Sequence, residues 1–231
     1  MSYPEYTTIR KQGRKTVSII VRPDRTVQII APPTMAEEAL QHIAVAKQNW
    51  INKKLEEFKN SDFQRTVHSY QEGEQFLFMG RELTLGISKG RGSINVGENT
   101  IQATVPPGLQ GEDQSQYIRE KLLDHCKVQA LNYLREKTRE ISEKHNFSPV
   151  YVAVKEYKSR WGSCFSDGRI YYNWKLILAP ENIIEYVIAH ELCHLKVPNH
   201  SKQFWQLVET IIPDWRLCRK WLRINGHALY V

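Results

Sequence analysis

The sequence predicts an α+β fold in which short strands and helices share the N-terminal part and helices close the C-terminal end. Three observations predict it. Residues 16–30 and 75–105 carry β-branched runs punctuated by Gly and Pro, the pattern of strands joined by tight turns. Residues 114–144 hold one unbroken helical periodicity. From residue 180 onward apolar residues recur at helical spacing, with a proline or a capping residue at each break.

Taken in order, residues 16–21 and 26–30 are two strands about the turn Arg22-Pro23-Asp24-Arg25. Pro32 and Pro33 end the second, and Thr34 can cap a helix over residues 35–58 that carries Leu40, Ile43, Ala44, Trp50, Ile51 and Leu55. Residues 59–73 read as a polar connector. Short strands follow at 75–79, 82–88, 93–96 and 100–105, with Gly80, Gly90, Gly92 and Gly97 in their turns. Pro106-Pro107-Gly108 is the strongest internal break. The expected organisation is therefore a β-rich N-terminal portion with one long helix, residues 1–107, and a second domain, residues 108–231, although the two can form one compact unit. In the second domain the helix over 114–144 leads to a strand at 150–154. A β-hairpin follows, its arms at 155–164 and 169–174 about the turn Phe165-Ser166-Asp167-Gly168. Pro180 opens the next helix. Ser201 caps one over 202–212, Pro213 stops it, and a last helix spans 215–224.

A hydrophobic content of 41% and a charged content of 25% over 231 residues are ordinary for a soluble chain with ample core. No apolar run approaches the ~20 residues a membrane span needs. Residues 1–15 are polar and lack the apolar centre of a signal peptide, so a cytoplasmic location is expected. Cys126, Cys164, Cys193 and Cys218 form no Cys-x-x-Cys pair, which excludes a disulfide framework and a cysteine-type zinc site as first readings. The net charge of +7 favours an anionic partner such as DNA. Its even spread over both halves of the chain weakens that inference.

The chemistry concentrates in His190-Glu191-Leu192-Cys193-His194, followed by His200. On a helix, positions 190 and 194 lie within about 40° of each other, so two imidazoles on adjacent turns can reach one ion. Glu191 stands beside that face, able to take a proton from a water at the ion without being a ligand. Pro198 breaks the helix and lets the chain turn back with His200. Three protein ligands with an open position is the catalytic zinc arrangement, whereas structural sites are closed by a fourth ligand. Chance yields the five-residue pattern on the order of 0.02 times in a chain of this composition. Helical spacing turns Cys193 away from the ligand midpoint, and His42, His68 and His125 have no ligand-like neighbours. They are expected to be core or surface residues. Glu209, on the following helix, is a competing candidate ligand.

Several spaced motifs then agree: Lys158-Ser159-Arg160-Trp161-Gly162-Ser163-Cys164, Gly168-Arg169-Ile170-Tyr171-Tyr172-Asn173, the helix from Tyr186 through His194, Asn199-His200-Ser201 and Phe204-Trp205. Together with the opening turn about Arg22, these closely resemble the YgjP-like metallopeptidase family, related to SprT-like and WLM-type zincins. The resemblance spans nearly the whole chain and is strongest over 155–224. It implies a zincin-like metallopeptidase domain with one Zn²⁺ per chain, His190, His194 and His200 as ligands, and Glu191 as catalytic acid and base. Val197-Pro198 stands where the metzincin pattern has a helix-ending glycine, which sets the chain apart from metzincins proper.

The expected activity is zinc-dependent hydrolysis of peptide bonds in a protein or peptide substrate. Because the hairpin precedes the metal helix, Arg160, Trp161, Gly162, Ser163, Tyr171, Tyr172 and Asn173 are the candidates for holding that substrate, with a free hairpin edge available to pair with an extended peptide. Tyr171, Tyr172, Arg160 and His227 are the candidate oxyanion donors. The alternative is a nucleic-acid-associated protein with a structural or non-catalytic zinc site, which would need a fourth protein ligand; a DNA-linked protease would combine both.

Overall fold

The computed structural model describes residues 5–22, 24–59 and 68–229. Pro23 of the expected turn and most of the expected connector lie outside these. Contacts divide the chain into two units, Met1–Gln64 and Arg65–Val231.

The first unit is built on strands β1 (Thr7–Arg10), β2 (Ser18–Val21) and β3 (Val27–Ala31) with helices α1 (Glu37–Ala46) and α2 (Gln48–Lys59). The sheet order is β1-β3-β2, parallel for β1 with β3 and antiparallel for β2 with β3. Central β3 buries every second residue, Val27, Ile29 and Ala31, and Ile29 and Ala31 meet Leu40 and Ala44 of α1. The single helix expected over 35–58 is two helices. The chain leaves helical geometry at Lys47 (φ −105°, ψ 7°), and its N–H is satisfied by Ile43 and Ala44 carbonyls. That break lets α2 turn back against β2 and bury Ile51. The helix starts after Ala36 rather than after Thr34, with no side-chain cap.

The second unit begins with β4 (Gln75–Phe78), β5 (Arg81–Lys89), β6 (Ser93–Val96) and β7 (Thr100–Val105), in the order β4-β5-β7-β6. Helix α3 (Gly111–His145) follows, then β8 (Tyr151–Lys155), β9 (Gly162–Cys164) and β10 (Arg169–Asn173). Beyond a 3-10 turn at Trp174–Leu178 come α4 (Glu181–His194), α5 (Lys202–Ile211) and α6 (Trp215–Asn225). In the third sheet β10 is central, parallel to β8 and antiparallel to β9.

Helix α3 explains why these parts form one core. Its buried residues, Ile118, Leu122, Cys126, Ala130, Leu134, Thr138 and Ser142, recur every fourth position. At 100° per residue each step drifts about 40°, so the buried stripe winds roughly 240° around the helix along this run. The N-terminal half therefore faces β6 and β7, and the C-terminal half faces β8, α4 and the 3-10 turn. The boundary expected after Pro107 thus does not separate two cores: Phe76, Leu83, Leu85, Ile101 and Val105 belong to the same cluster as Tyr172 and Ile188. The break in the sequence is a turn into α3, and the compact units part near residue 64.

The β4–β5 turn docks at the entry to α4. Met79 and Gly80 N–H donate to the carbonyls of Ile177 and Leu178 at 2.8 and 3.0 Å. Gly80 has φ +73°, and a Cβ there would meet Pro180 Cα at 2.8 Å. Gly80→Ala is expected to lower stability by about 1–3 kcal/mol through backbone strain and overpacking. Urea unfolding at unchanged m checks this; an unmoved midpoint would refute it. Among the described residues no helix is long and apolar enough to cross a membrane.

Candidate metal centre

Helix α4 is fixed at its start. The Pro180 carbonyl accepts from Ile183 and Ile184 N–H at 3.0 and 3.1 Å. Lys137 of α3 reaches Glu181 at 3.2 Å and Glu185 at 3.5 Å, and Tyr133 OH donates to Glu181 at 2.8 Å. Nine of its 14 residues are buried, so the helix runs through the core and presents little but its ligand face to a cavity.

After His194 the helix tightens: Lys196 and Val197 N–H both donate to the Cys193 carbonyl, at 3.1 and 2.9 Å. The Val197 carbonyl then accepts from His194 Nδ1 at 3.2 Å, which places the proton on Nδ1 and leaves the Nε2 lone pair available. Asn199 and Ser201 close the turn. Asn199 Oδ1 accepts from Ser201 N–H at 3.2 Å, and Ser201 Oγ accepts from Phe204 N–H at 3.4 Å, the cap expected from sequence.

This turn brings His200 back onto α4. His200 Nε2 lies 3.0 Å from His190 Nε2, and the three ring centroids are 4.8–5.0 Å apart. One nitrogen from each ring falls within 4.8 Å of the others. Fully buried Phe204 stacks on His194 at 4.4 Å, and Trp205 stacks on His200 at 5.5 Å. Burial pushes the His190 pKa down to about 3, helped by the charges of His194, His200 and Arg219. Burial also lowers His194 and His200.

Glu191 is 5% exposed and faces β9. A Cβ on Gly162 would sit 2.6 Å from its Cγ and from Oε1, so only glycine leaves room for this carboxylate. Burial raises the Glu191 pKa to about 8, opposed by the Arg160 charge and a hydrogen bond from the Cys164 backbone. The three imidazoles and Glu191 open into a cleft of about 650 Å³ bordered by Arg160 to Ser166, Tyr186, Arg219, Leu222 and Arg223.

Of the expected substrate contacts, Arg160, Trp161, Gly162 and Ser163 border the cleft. Trp161 rests on Gly226, and Ser163 Oγ is tied to Tyr157 OH at 2.7 Å. Tyr171, Tyr172 and Asn173 do not border it, because β10 is the middle strand and only β9 edges the cavity. Tyr171 packs against Phe165 under Lys155 Nζ, 3.7 Å from its ring. Tyr172 is fully buried and its OH accepts from Thr138 at 3.1 Å. Asn173 donates to the Tyr157 and Arg160 carbonyls at 3.0 and 3.3 Å, holding the loop that carries Arg160. His227 is not in the lining either. Glu209 is ion-paired to Arg216 at 2.7 Å, and Cys193 is buried in the core, outside the histidine cluster. His68 stacks on Phe76 at 4.2 Å as a packed residue. Sequence reasoning missed Arg219 and Arg223. The spacing Arg216, Arg219, Lys220, Arg223 on one helix was the available signal.

A family profile described as "YgjP-like, metallopeptidase domain" matches residues 15–225. The chain belongs to the YgjP-like metallopeptidase family. A metallopeptidase needs a metal ion, and the residues present fit one. Three nitrogens converge, the ring pKa values are depressed so that the neutral, ligating form prevails, and the His194 tautomer aims Nε2 inward. Two solved structures are similar to part of this YgjP-like chain. The metallopeptidase zymogen of Pyrococcus abyssi abylysin is 21% identical with TM-score 0.34, covering 40% of this chain and 97% of that one. That of Methanocaldococcus jannaschii jannalysin is 20% identical with TM-score 0.32, covering 36% and 90%. A search of curated proteins finds no match.

Proposed function

We propose that the chain is a zinc peptidase in which His190, His194 and His200 hold one Zn²⁺ and Glu191 serves as general base and then general acid. The observation that carries this reading is the convergence of three neutral imidazoles beside a buried carboxylate that opens into a cleft. Zinc held there would supply a Lewis acid that acidifies a water and polarises a carbonyl.

The chain's own groups do the rest. Glu191 takes a proton at its carboxylate and delivers it to the leaving amine, a role suited to a carboxyl that borders the cleft beside the three imidazoles. Cys164 N–H orients that carboxylate through its backbone hydrogen bond. Of the four candidate oxyanion donors only Arg160 borders the cleft, so charge developing on the attacked carbonyl is assigned to its guanidinium. Edge strand β9 pairs an extended peptide alongside Glu191. The alternative with structural zinc needs a fourth protein donor, and the cluster formed by the described residues contains the three histidines alone.

The test is cleavage of an unfolded protein by metal-replete enzyme, by chelated enzyme, and after zinc is restored. Activity that survives chelation would exclude the proposal. His200→Ala is expected to weaken zinc binding by more than the ~100-fold upper range of outer-shell changes. Competition against a chromophoric chelator reads this; unchanged affinity would remove His200 from the ligand set.

A further inference from the structure

We propose that Arg219 makes the cleft a reader of carboxylates, so that the preferred peptide bears an acidic side chain or its own C-terminal carboxylate beside the bond that is cut. This rests on the peptidase reading above and deepens it.

Arg219 borders the cleft and makes no ion pair among the described residues, whereas Arg216, one turn earlier on α6, is neutralised by Glu209 at 2.7 Å. Its guanidinium lies 4.9 Å from the centre of the Trp205 ring, and Trp205 is itself stacked on Trp215 at 4.2 Å and 16°. The side chain is thus fixed before any ligand arrives, and little freedom is lost on binding. It stands near enough to His190, His200 and Tyr186 for its charge to act on all three. A cation among ligands of a cation is a repulsive arrangement, which an anion between them converts to attraction. Among the described residues the lining offers no such anion: its one carboxylate there, Glu191, is buried and committed to proton transfer.

A guanidinium fork matches a carboxylate through two parallel hydrogen bonds. A phosphate backbone would instead ask for a continuous basic track, and the Arg216–Glu209 pair interrupts one along α6. Arg223, a turn beyond Arg219, also borders the cleft.

The test uses matched fluorogenic peptides that differ only as Glu against Gln near the scissile bond, and as free acid against amide at the C-terminus. Wild type is expected to prefer one acidic form by about tenfold or more in kcat/KM, the scale of one hydrogen bond to a charged group. Preference in the Glu/Gln arm assigns a side chain, and in the acid/amide arm the chain terminus. Arg219→Met, which keeps contact with Trp205, should bring that ratio towards one, and Arg219→Lys should leave it intermediate. Arg219→Glu should favour a Lys-bearing peptide. Melting temperature and zinc content are measured for each variant. Equal kcat/KM across all peptides for wild type overturns the proposal, as does a preference that survives Arg219→Met with zinc intact. So does single-stranded DNA that displaces the acidic peptide from wild type alone. If no peptide is cut, anisotropy with Glu191→Gln separates the two ideas. Tighter binding of an acidic peptide there upholds the carboxylate site while cleavage fails, and equal binding overturns it.

Discussion

Glu191→Gln is expected to keep the metal and lose turnover by ~10²–10⁴-fold, the usual worth of a positioned general acid or base. Glutamine has the same shape, so it fills the space under Gly162 and can still accept the hydrogen bond from the Cys164 backbone. It cannot carry a proton between water and leaving amine. The histidine rings are held by Val197, Phe204 and Trp205, none of which touches the Glu191 carboxyl in the interactions described above. Zinc content should therefore stay at the wild-type level. Thermal stability should be equal or higher, because a desolvated carboxyl has been replaced by a neutral amide. Steady-state kinetics with zinc measured on the same sample check all three. Unaltered turnover would remove Glu191 from the chemistry, and lost zinc would show that the carboxylate helps to hold the ion.

The helix carrying His190, Glu191 and His194 is legible in the sequence because each of its signals is local: Pro180 at its start, apolar spacing along it, and histidines one turn apart. The same holds for the hairpin and for the Ser201 cap. Features that depend on distant partners are not legible. The edge strand β1 exposes three of its four residues, so it shows no alternation to read. Residues 35–58 keep helical spacing across Lys47, and only packing of α2 against β2 selects the break. The α3 stripe reads as one amphipathic helix, yet its winding joins the four-stranded sheet and the helix of His190 and His194 in one core, which the Pro106-Pro107-Gly108 break does not reveal. Tyr171, Tyr172 and Asn173 were plausible contacts because they are near Gly162 in the hairpin. Their place away from the cleft lining follows from strand order, which no local pattern encodes. Arg219 reaches the cleft only through the tertiary placement of α6.

Gly162→Ala is expected to lower kcat by roughly 100-fold, the cost of moving a reacting group by about 1 Å. Gly162 pairs with Tyr172 of β10, which is fully buried, so the strand cannot retreat from α4 without disturbing the core. The three nearest atoms to the added Cβ, at 2.6–2.7 Å, are all in the Glu191 side chain. The carboxylate is the part free to swing, since the α4 backbone is locked by its buried neighbours. Accommodation therefore rotates Glu191 away from the cleft and from the Cys164 backbone donor. The histidines are not in that contact, so zinc affinity should be retained, with stability reduced by about 1–3 kcal/mol of overpacking. Gly97→Ala serves as the control, because its added Cβ meets only atoms at 3.6 Å and should leave turnover unaltered. A crystal structure of Gly162→Ala with its zinc bound should show the altered Glu191 rotamer. Wild-type kcat in that variant would mean that β9 yields instead of the carboxylate, and that the glycine serves strand geometry and not the chemistry beneath it.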